Sequence, residues 1–141
     1  MNGVIQDIIE EFELFEDQMD KYSHIVDMGK SLPVLEDRYK TEDYVVKGCQ
    51  SKVWLHAYES DGKVVYEADS NTAITKGIVA MLVRVLSNRI PDEILAEDMQ
   101  FIETIGLRSH LSSQRSNGLN SMIREMKLFA KAIKQKNEVN S

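Results

Sequence analysis

Apolar residues at Ile5, Ile8, Ile9, Phe12, Phe15 and Met19 recur at helical spacing, with acidic residues on the opposite side. The spacing predicts an amphipathic helix. Asn2 is the one capping candidate ahead of it, so its start is expected to fray. A second apolar patch, Tyr22, Ile25, Val26 and Met28, ends at Gly29, which reads as a helix stop. Ser31-Leu32-Pro33 reads as a turn or extended stretch, because a proline pushes the residue before it out of the helical region. The segment from Glu36 to Asp43 is polar and reads as an exposed loop.

From Tyr44 the period shortens. Tyr44-Val45-Val46 is β-like, and Val53 to Tyr58 alternates, with Val53, Leu55 and Ala57 on one face and Trp54, His56 and Tyr58 on the other. Ser60-Asp61-Gly62 signals a tight turn and Val64-Val65-Tyr66 the returning strand. The expectation is a three-stranded antiparallel sheet, with Cys49 between its first two strands.

Asp69 to Thr72 offers several caps for a long helix running from Ala73 to Leu86. That helix is apolar on most of its circumference, which predicts a buried central position. Pro91 suits the first position of a short helix, Pro91 to Leu95. Met99 to Ile105 is another short element, stopped by Gly106. His110 to Gly118 reads as a polar loop leading to a cap at Ser116. The last helix then turns Leu119, Met122, Ile123, Met126, Phe129, Ala130 and Ile133 inward. The tail after about Lys136 is expected to be disordered. With no repeat, linker or low-complexity tract, residues 1–141 read as one α+β domain.

Composition narrows the function classes. The 141 residues are 43% hydrophobic and carry a net charge of −6, a poor balance for binding nucleic-acid phosphates. The longest apolar run, Ile78 to Val83, is far short of a membrane span, and the acidic N-terminal segment does not resemble a secretory signal. One cysteine excludes an internal disulfide, and a zinc ribbon or iron–sulfur cluster held by this chain's thiolates alone. A soluble, reduced, cytoplasmic protein is expected.

Cys49 is the first candidate for chemistry. It follows Gly48, which permits a positive φ and removes a side chain from the approach. Lys47 and Lys52 would favour a thiolate if their ammonium groups came near the sulfur. The competing reading is a small buried hydrophobe without a role. His24, His56 and His110 show no metal-ligand spacing, and pairing of Cys49 with His56 or His110 is unspecific. Arg115, in the polar stretch, could tie down backbone carbonyls or pair with a carboxylate on a partner. Trp54 could wall a pocket around the sulfur or fill the sheet–helix interface.

Taken together these residues resemble a known family. Gly48-Cys49-Gln50-Ser51-Lys52-Val53-Trp54-Leu55 is similar to the signature of the SufE family of sulfur-acceptor proteins, which includes the related CsdE. Three further blocks match in order: Asp69-Ser70 with Ala73 to Ile78, Pro91 to Leu95, and His110 to Leu119. With Leu32-Pro33 upstream, the resemblance covers about residues 5–134. A lone Gly-Cys is weak; four ordered blocks are specific.

The resemblance implies an α+β fold like that of the IscU scaffold. It implies a sulfur carrier and activator, not itself an enzyme, whose Cys49 accepts a persulfide sulfur from a SufS- or CsdA-type cysteine desulfurase and passes it to a SufBCD-type assembly scaffold. Gly48, Gln50, Ser51 and Trp54 would support the cysteine loop, and Arg115 and His110 would face the partner. The chain itself would hold no metal and no cofactor, pyridoxal phosphate belonging to the desulfurase, and would be a monomer or weak dimer. Tyr44 stands where the family often has Asn, and Asn71 where some members have an acid. The alternative is a regulatory module that binds a desulfurase without transferring sulfur. A cysteine hydrolase or oxidoreductase acting alone has neither a Cys-X-X-Cys nor a triad spacing to support it.

Overall fold

A computed structural model describes residues 3–140. Its axis is helix α3 (Ala73–Leu86), whose Ile74, Ile78, Met81, Leu82, Val85 and Leu86 are buried. The other elements close around this apolar cylinder. They are α1 (Gly3–Glu13), α2 (Gln18–Lys30), the strands β1 (Val53–Ser60) and β2 (Lys63–Ser70), the short helices α4 (Pro91–Ala96) and α5 (Phe101–Thr104), and the long α6 (Ser113–Asn140). Helix α2, strand β2 and α6 all pack on α3. Each fully buried Ile, Leu or Met in this core contributes roughly 1.5–3 kcal/mol relative to exposure.

The sheet has two strands, not the expected three. β1 and β2 form an antiparallel hairpin, Val53 opposite Ser70 and Ser60 opposite Lys63. The two-residue turn Asp61-Gly62 has φ of 53° and 78°, the mirror-image geometry that matches strand twist. Tyr44 instead closes a 3₁₀ turn, Glu42–Tyr44, and only Val45 pairs with β1, in an isolated bridge to Trp54. Val46 N–H donates to Val53 O at 2.8 Å, after which Gly48, at φ +91°, carries the chain away from the strand. The expected loop from Glu36 to Asp43 contains a second 3₁₀ turn, Asp37–Tyr39.

The N-terminal region divides earlier than its periodicity suggests. α1 ends at Glu13, and Asp17 caps α2 by accepting from Met19 N–H at 2.7 Å. Met19 is therefore 70% exposed rather than part of the first apolar face. The expected cap at Asn2 lies outside the described residues.

Gly29 does not stop α2, which runs on to Lys30. Its role is spacing: a Cβ there would lie 2.9 Å from Gly77 N, and a Cβ on Gly77 would lie 1.9 Å from Ile25 O. Two helices cross here at backbone contact, which only glycine permits.

Pro91 takes the first position of α4, as expected. The stretch from His110 to Gly118 is not a loop. Leu107–His110 forms a 3₁₀ turn, and α6 begins at Ser113. Ser112, not Ser116, caps it, its hydroxyl accepting from Arg115 N–H at 3.2 Å. Helix α6 also continues to Asn140, through the tail expected to be disordered.

Candidate functional site

Cys49 sits in the loop between the Val45 bridge and β1. Its side chain is half-buried against the second turn of α6 and packs on the core. The thiol donates to Gly118 O at 3.6 Å. A Cβ on Gly118 would lie 3.4 Å from Cys49 Cα and 3.5 Å from Sγ, ordinary contact distances, so the thiol rests where there is room for a methyl group but not for a longer side chain. Gly48 is fitted as closely: a Cβ there would lie 2.6 Å from the Ser121 hydroxyl oxygen. The positive φ calls for glycine at position 48, and the close approach adds a steric term that the Ser121 hydroxyl would have to rotate to relieve.

Burial pushes the Cys49 thiol above its ordinary pKa. The flanking lysines do not counter this. Lys52 Nζ is drawn to Glu42 Oε1 at 3.3 Å, and Lys47 is exposed. The resting sulfur is thus a sheltered neutral thiol, and the condition under which the lysines would favour a thiolate is not met.

The other end of the loop is held by hydrogen bonds to the junction of β2 and α3. Ser51 Oγ lies 2.9 Å from Thr72 Oγ1 and accepts from Thr75 Oγ1 at 3.1 Å. Lys52 N–H donates to Asn71 Oδ1 at 3.1 Å, and Lys52 O accepts from Ser70 Oγ at 2.8 Å and Asn71 N–H at 3.2 Å. Asn71, one of the two departures from the family pattern, is therefore an acceptor for the loop, a task a carboxylate would also perform. Tyr44, the other, contacts Tyr39 edge-on, with the ring of His56 beyond, on the outer face of β1. Nearby, Asp69 lies between Lys40 (3.1 Å) and Lys76 (3.4 Å). Burial opposes its ionisation, but Ser70 N–H and the two lysines outweigh that and hold its carboxyl below the ordinary range.

The remaining candidates divide. Gln50 is exposed on the loop. Trp54 is half-buried beside Val45 and opposite Asp69, on the strand face that alternates with buried Val53 and Leu55. His56 stacks on Tyr39 at 3.9 Å between ring centroids and makes no pair with Cys49. His110 is half-buried at the end of the 3₁₀ turn, where burial and the Lys21 ammonium lower its pKa. Arg115 lies on α6 one turn before Gly118, hence on the same face. Its Nε is excluded from solvent and lacks a hydrogen-bond partner, alone in this among the side chains of the described residues.

Sequence reasoning missed Gly118, Ser121 and Thr75 as parts of this site. Gly118 carried a usable signal. A glycine within a helical pattern costs stability, about 1 kcal/mol against alanine, and so points to close backbone approach. Among the described residues, no helix is long and apolar enough to cross a membrane. No group of three or more His, Cys, Asp or Glu side chains among them is arranged to hold a metal ion.

Comparison with known proteins gives the family of the chain. The profile of the SufE family, described as an Fe–S metabolism associated domain, matches residues 6–130. The SufE-like protein 1 of Arabidopsis thaliana, chloroplastic/mitochondrial by name, is 38% identical over 138 residues, covering 97% of this chain. This chain spans only 37% of that relative's length. An uncharacterised SufE-like protein of Rhizobium meliloti is 35% identical over 128 residues, covering 87% of this chain and 91% of that one. A solved structure of a hypothetical protein from Thermus thermophilus superposes with a TM-score of 0.76, covering 92% of this chain and 94% of that one. At 18% identity, that likeness bears on the fold alone.

Proposed function

The chain belongs to the SufE family, and from that membership we propose that it is a sulfur carrier of iron–sulfur metabolism with Cys49 as the acceptor. The donor is a SufS- or CsdA-type cysteine desulfurase, whose pyridoxal phosphate generates a cysteine persulfide. The recipient is a SufBCD-type assembly scaffold. The chain is not itself an enzyme; it takes up the persulfide sulfur and thereby speeds the donor's turnover. Its setting is a reducing one such as the cytoplasm, where a lone thiol stays free.

The observation that carries this reading is the placement of the chain's one thiol. Its sulfur makes one weak hydrogen bond, to Gly118 O, and is half-buried at the edge of the core rather than sealed inside it. Thiol–persulfide exchange needs only a thiolate and access. Cys49 loses its proton to solvent, and its sulfur attacks the outer sulfur of the donor persulfide. A new S–S bond forms on Cys49 as the donor's S–S bond breaks. The electron pair of the broken bond leaves on the donor cysteine as thiolate, so no external oxidant or reductant enters.

The resting state and the reactive state make opposite demands. Burial against α6 shields the sulfur but disfavours the thiolate that must attack. We therefore assign the loop two positions, tucked on Gly118 when free and extended when docked. Arg115 is the residue we assign to a partner carboxylate: its Nε, buried and without a hydrogen-bond partner when the chain is free, would gain one if the side chain turned outward on docking, and His110 borders the same end of α6. The alternative of a regulatory module is separated by mass: incubation with desulfurase and cysteine should add sulfur to Cys49. Cys49→Ser should fold normally, gain no sulfur and fail to stimulate the desulfurase. Full stimulation by that variant would overturn the assignment. Equal amide exchange of residues 46–52 with and without desulfurase would overturn the two-position loop.

A further inference from the structure

The two ends of the cysteine loop are held very differently. On the Gly48–Cys49 side the contacts to α6 are van der Waals packing at Gly118 and Ser121 and one thiol-to-carbonyl contact at 3.6 Å. A thiol is a weak donor, so this side separates at little cost. On the Ser51–Lys52 side the chain is fastened to residues 70–75 through both backbone and side chains. Thr75, only 5% exposed, donates to Ser51 Oγ, which leaves the Ser51 hydroxyl to donate to Thr72 Oγ1. Thr72 is the N-cap residue of α3, yet its side chain makes no capping bond. Its hydroxyl serves the loop instead.

We propose that Ser51, latched to Thr72 and Thr75, is the positioning residue of sulfur transfer, the fixed pivot about which Gly48 and Cys49 swing off α6. This rests on the reading of Cys49 as a sulfur carrier and adds where its movement is anchored. A loop released at both ends would expose the thiol without aiming it. A loop pinned at Ser51 and hinged at Gly48 carries the sulfur through a defined arc, because the first turn of the buried α3 cannot follow it. Ser51 acts through Cys49 and does not touch the reacting sulfur atoms.

The test uses the full chain with three variants, Ser51→Ala, Thr75→Val and Thr75→Ser. Valine matches threonine in shape and removes only the hydroxyl; serine keeps it. Cys49 alkylation by iodoacetamide at fixed pH should quicken about five-fold in Ser51→Ala and Thr75→Val, the population change that loss of one net hydrogen bond brings. Thr75→Ser should alkylate as wild type does. In sulfur transfer from a desulfurase, the two hydroxyl-deleting variants should lose kcat with KM for the donor unchanged, since docking is intact and aim is not. Wild-type alkylation in both Ser51→Ala and Thr75→Val would overturn the pivot. So would equal acceleration in Thr75→Val and Thr75→Ser, which would make side-chain volume the cause. If the wild-type chain accepts no sulfur at all, the carrier reading falls, while the alkylation series still decides whether Ser51 anchors the loop.

Discussion

The Cys49 sulfur lies 3.6 Å from the carbonyl oxygen of Gly118, on a bare patch of helix backbone that a side chain longer than alanine's would cover. Two substitutions at this position should act in opposite directions. An alanine Cβ falls at 3.5 Å from Sγ, an ordinary contact, and alanine is the better helix former. Gly118→Ala should therefore raise stability by up to about 1 kcal/mol and leave Cys49 at least as slow to alkylate. Gly118→Leu must place its outer atoms where the thiol now rests. It should expel Cys49 and speed alkylation; thiol titration with a chromogenic disulfide measures both.

Gly48 tests the opposite wall of the same nest. A side chain there meets a backbone at φ +91° and a hydroxyl oxygen at 2.6 Å. Gly48→Ala should destabilise by about 1–3 kcal/mol, the usual cost of a non-glycine residue held in such a region. Adding Ser121→Ala removes the hydroxyl oxygen and with it the steric part, but not the backbone part. The double variant should recover some of the lost stability in urea denaturation, though not all of it.

Local signals made much of this molecule readable, and long-range ones hid the rest. Asp61-Gly62 announced its turn and Pro91 its helix start because both act on their own backbone. The apolar circumference of residues 73–86 announced a buried helix for the same reason. Gly29 misled because the letter that ends a helix is also the letter that lets two helices touch. Which applies depends on Gly77, distant in sequence. Arg115 was placed in a loop because its neighbours are all turn formers; the cap at Ser112 converts them into the first turn of α6. In the site itself, Gly48, Cys49 and Ser51 were legible as a motif. Gly118, Ser121 and Thr75 were not, since they join it only through the fold.

The sheltered thiol has a pH signature. Burial raises the Cys49 pKa, so at neutral pH the thiolate fraction is below that of a free cysteine. The alkylation profile should reach half-maximum above the ordinary thiol value of about 8.5. The linkage has the matching sign. Because the folded pKa exceeds the unfolded one, the stabilisation from the neutral thiol is complete below the ordinary pKa and fades as pH rises through the folded one. Gly118→Leu, by freeing the sulfur, should return the alkylation midpoint toward that of a free thiol.

A second titration reports on how α1 is held. Arg84 grips the Glu11 carboxylate through both nitrogens, at 3.1 and 2.5 Å, and His24 Nε2 lies 3.0 Å from the same carboxylate. The Arg84 bonds lead in holding the Glu11 pKa below its ordinary value, against the opposing effect of burial. The folded pKa being depressed, this stabilisation is present above the ordinary carboxyl pKa and is lost as pH falls through the folded one. The side chains are 32% and 38% exposed, so solvent screening limits the gain to about 0.5–1 kcal/mol. Arg84→Met should lower stability at pH 7 by that amount and flatten the acid limb between pH 5 and 3, as read from urea midpoints.

The crossing of α2 and α3 sets two physical terms against each other at Gly77. Intrinsic propensity favours alanine over glycine inside a helix by about 1 kcal/mol, so in an isolated α3 the change Gly77→Ala would stabilise. In the folded chain the added Cβ would stand 1.9 Å from the Ile25 carbonyl oxygen and 2.7 Å from its carbon. These are backbone atoms of a packed helix, and no rotamer change moves them aside. Relief requires α2 to shift as a body, which would open contacts at Ile25 and Met28 along the core. Overpacking against side chains typically costs 1–3 kcal/mol, and against rigid backbone the cost should reach about 3 kcal/mol or more. The crossing term therefore exceeds the propensity term, and Gly77→Ala should unfold at markedly lower urea than wild type. A midpoint equal to or above wild type would mean that α2 does not lie on α3 at Gly29 and Gly77. The helix pair that supports the first turn of α3, and with it the anchored end of the cysteine loop, would then have to be redrawn.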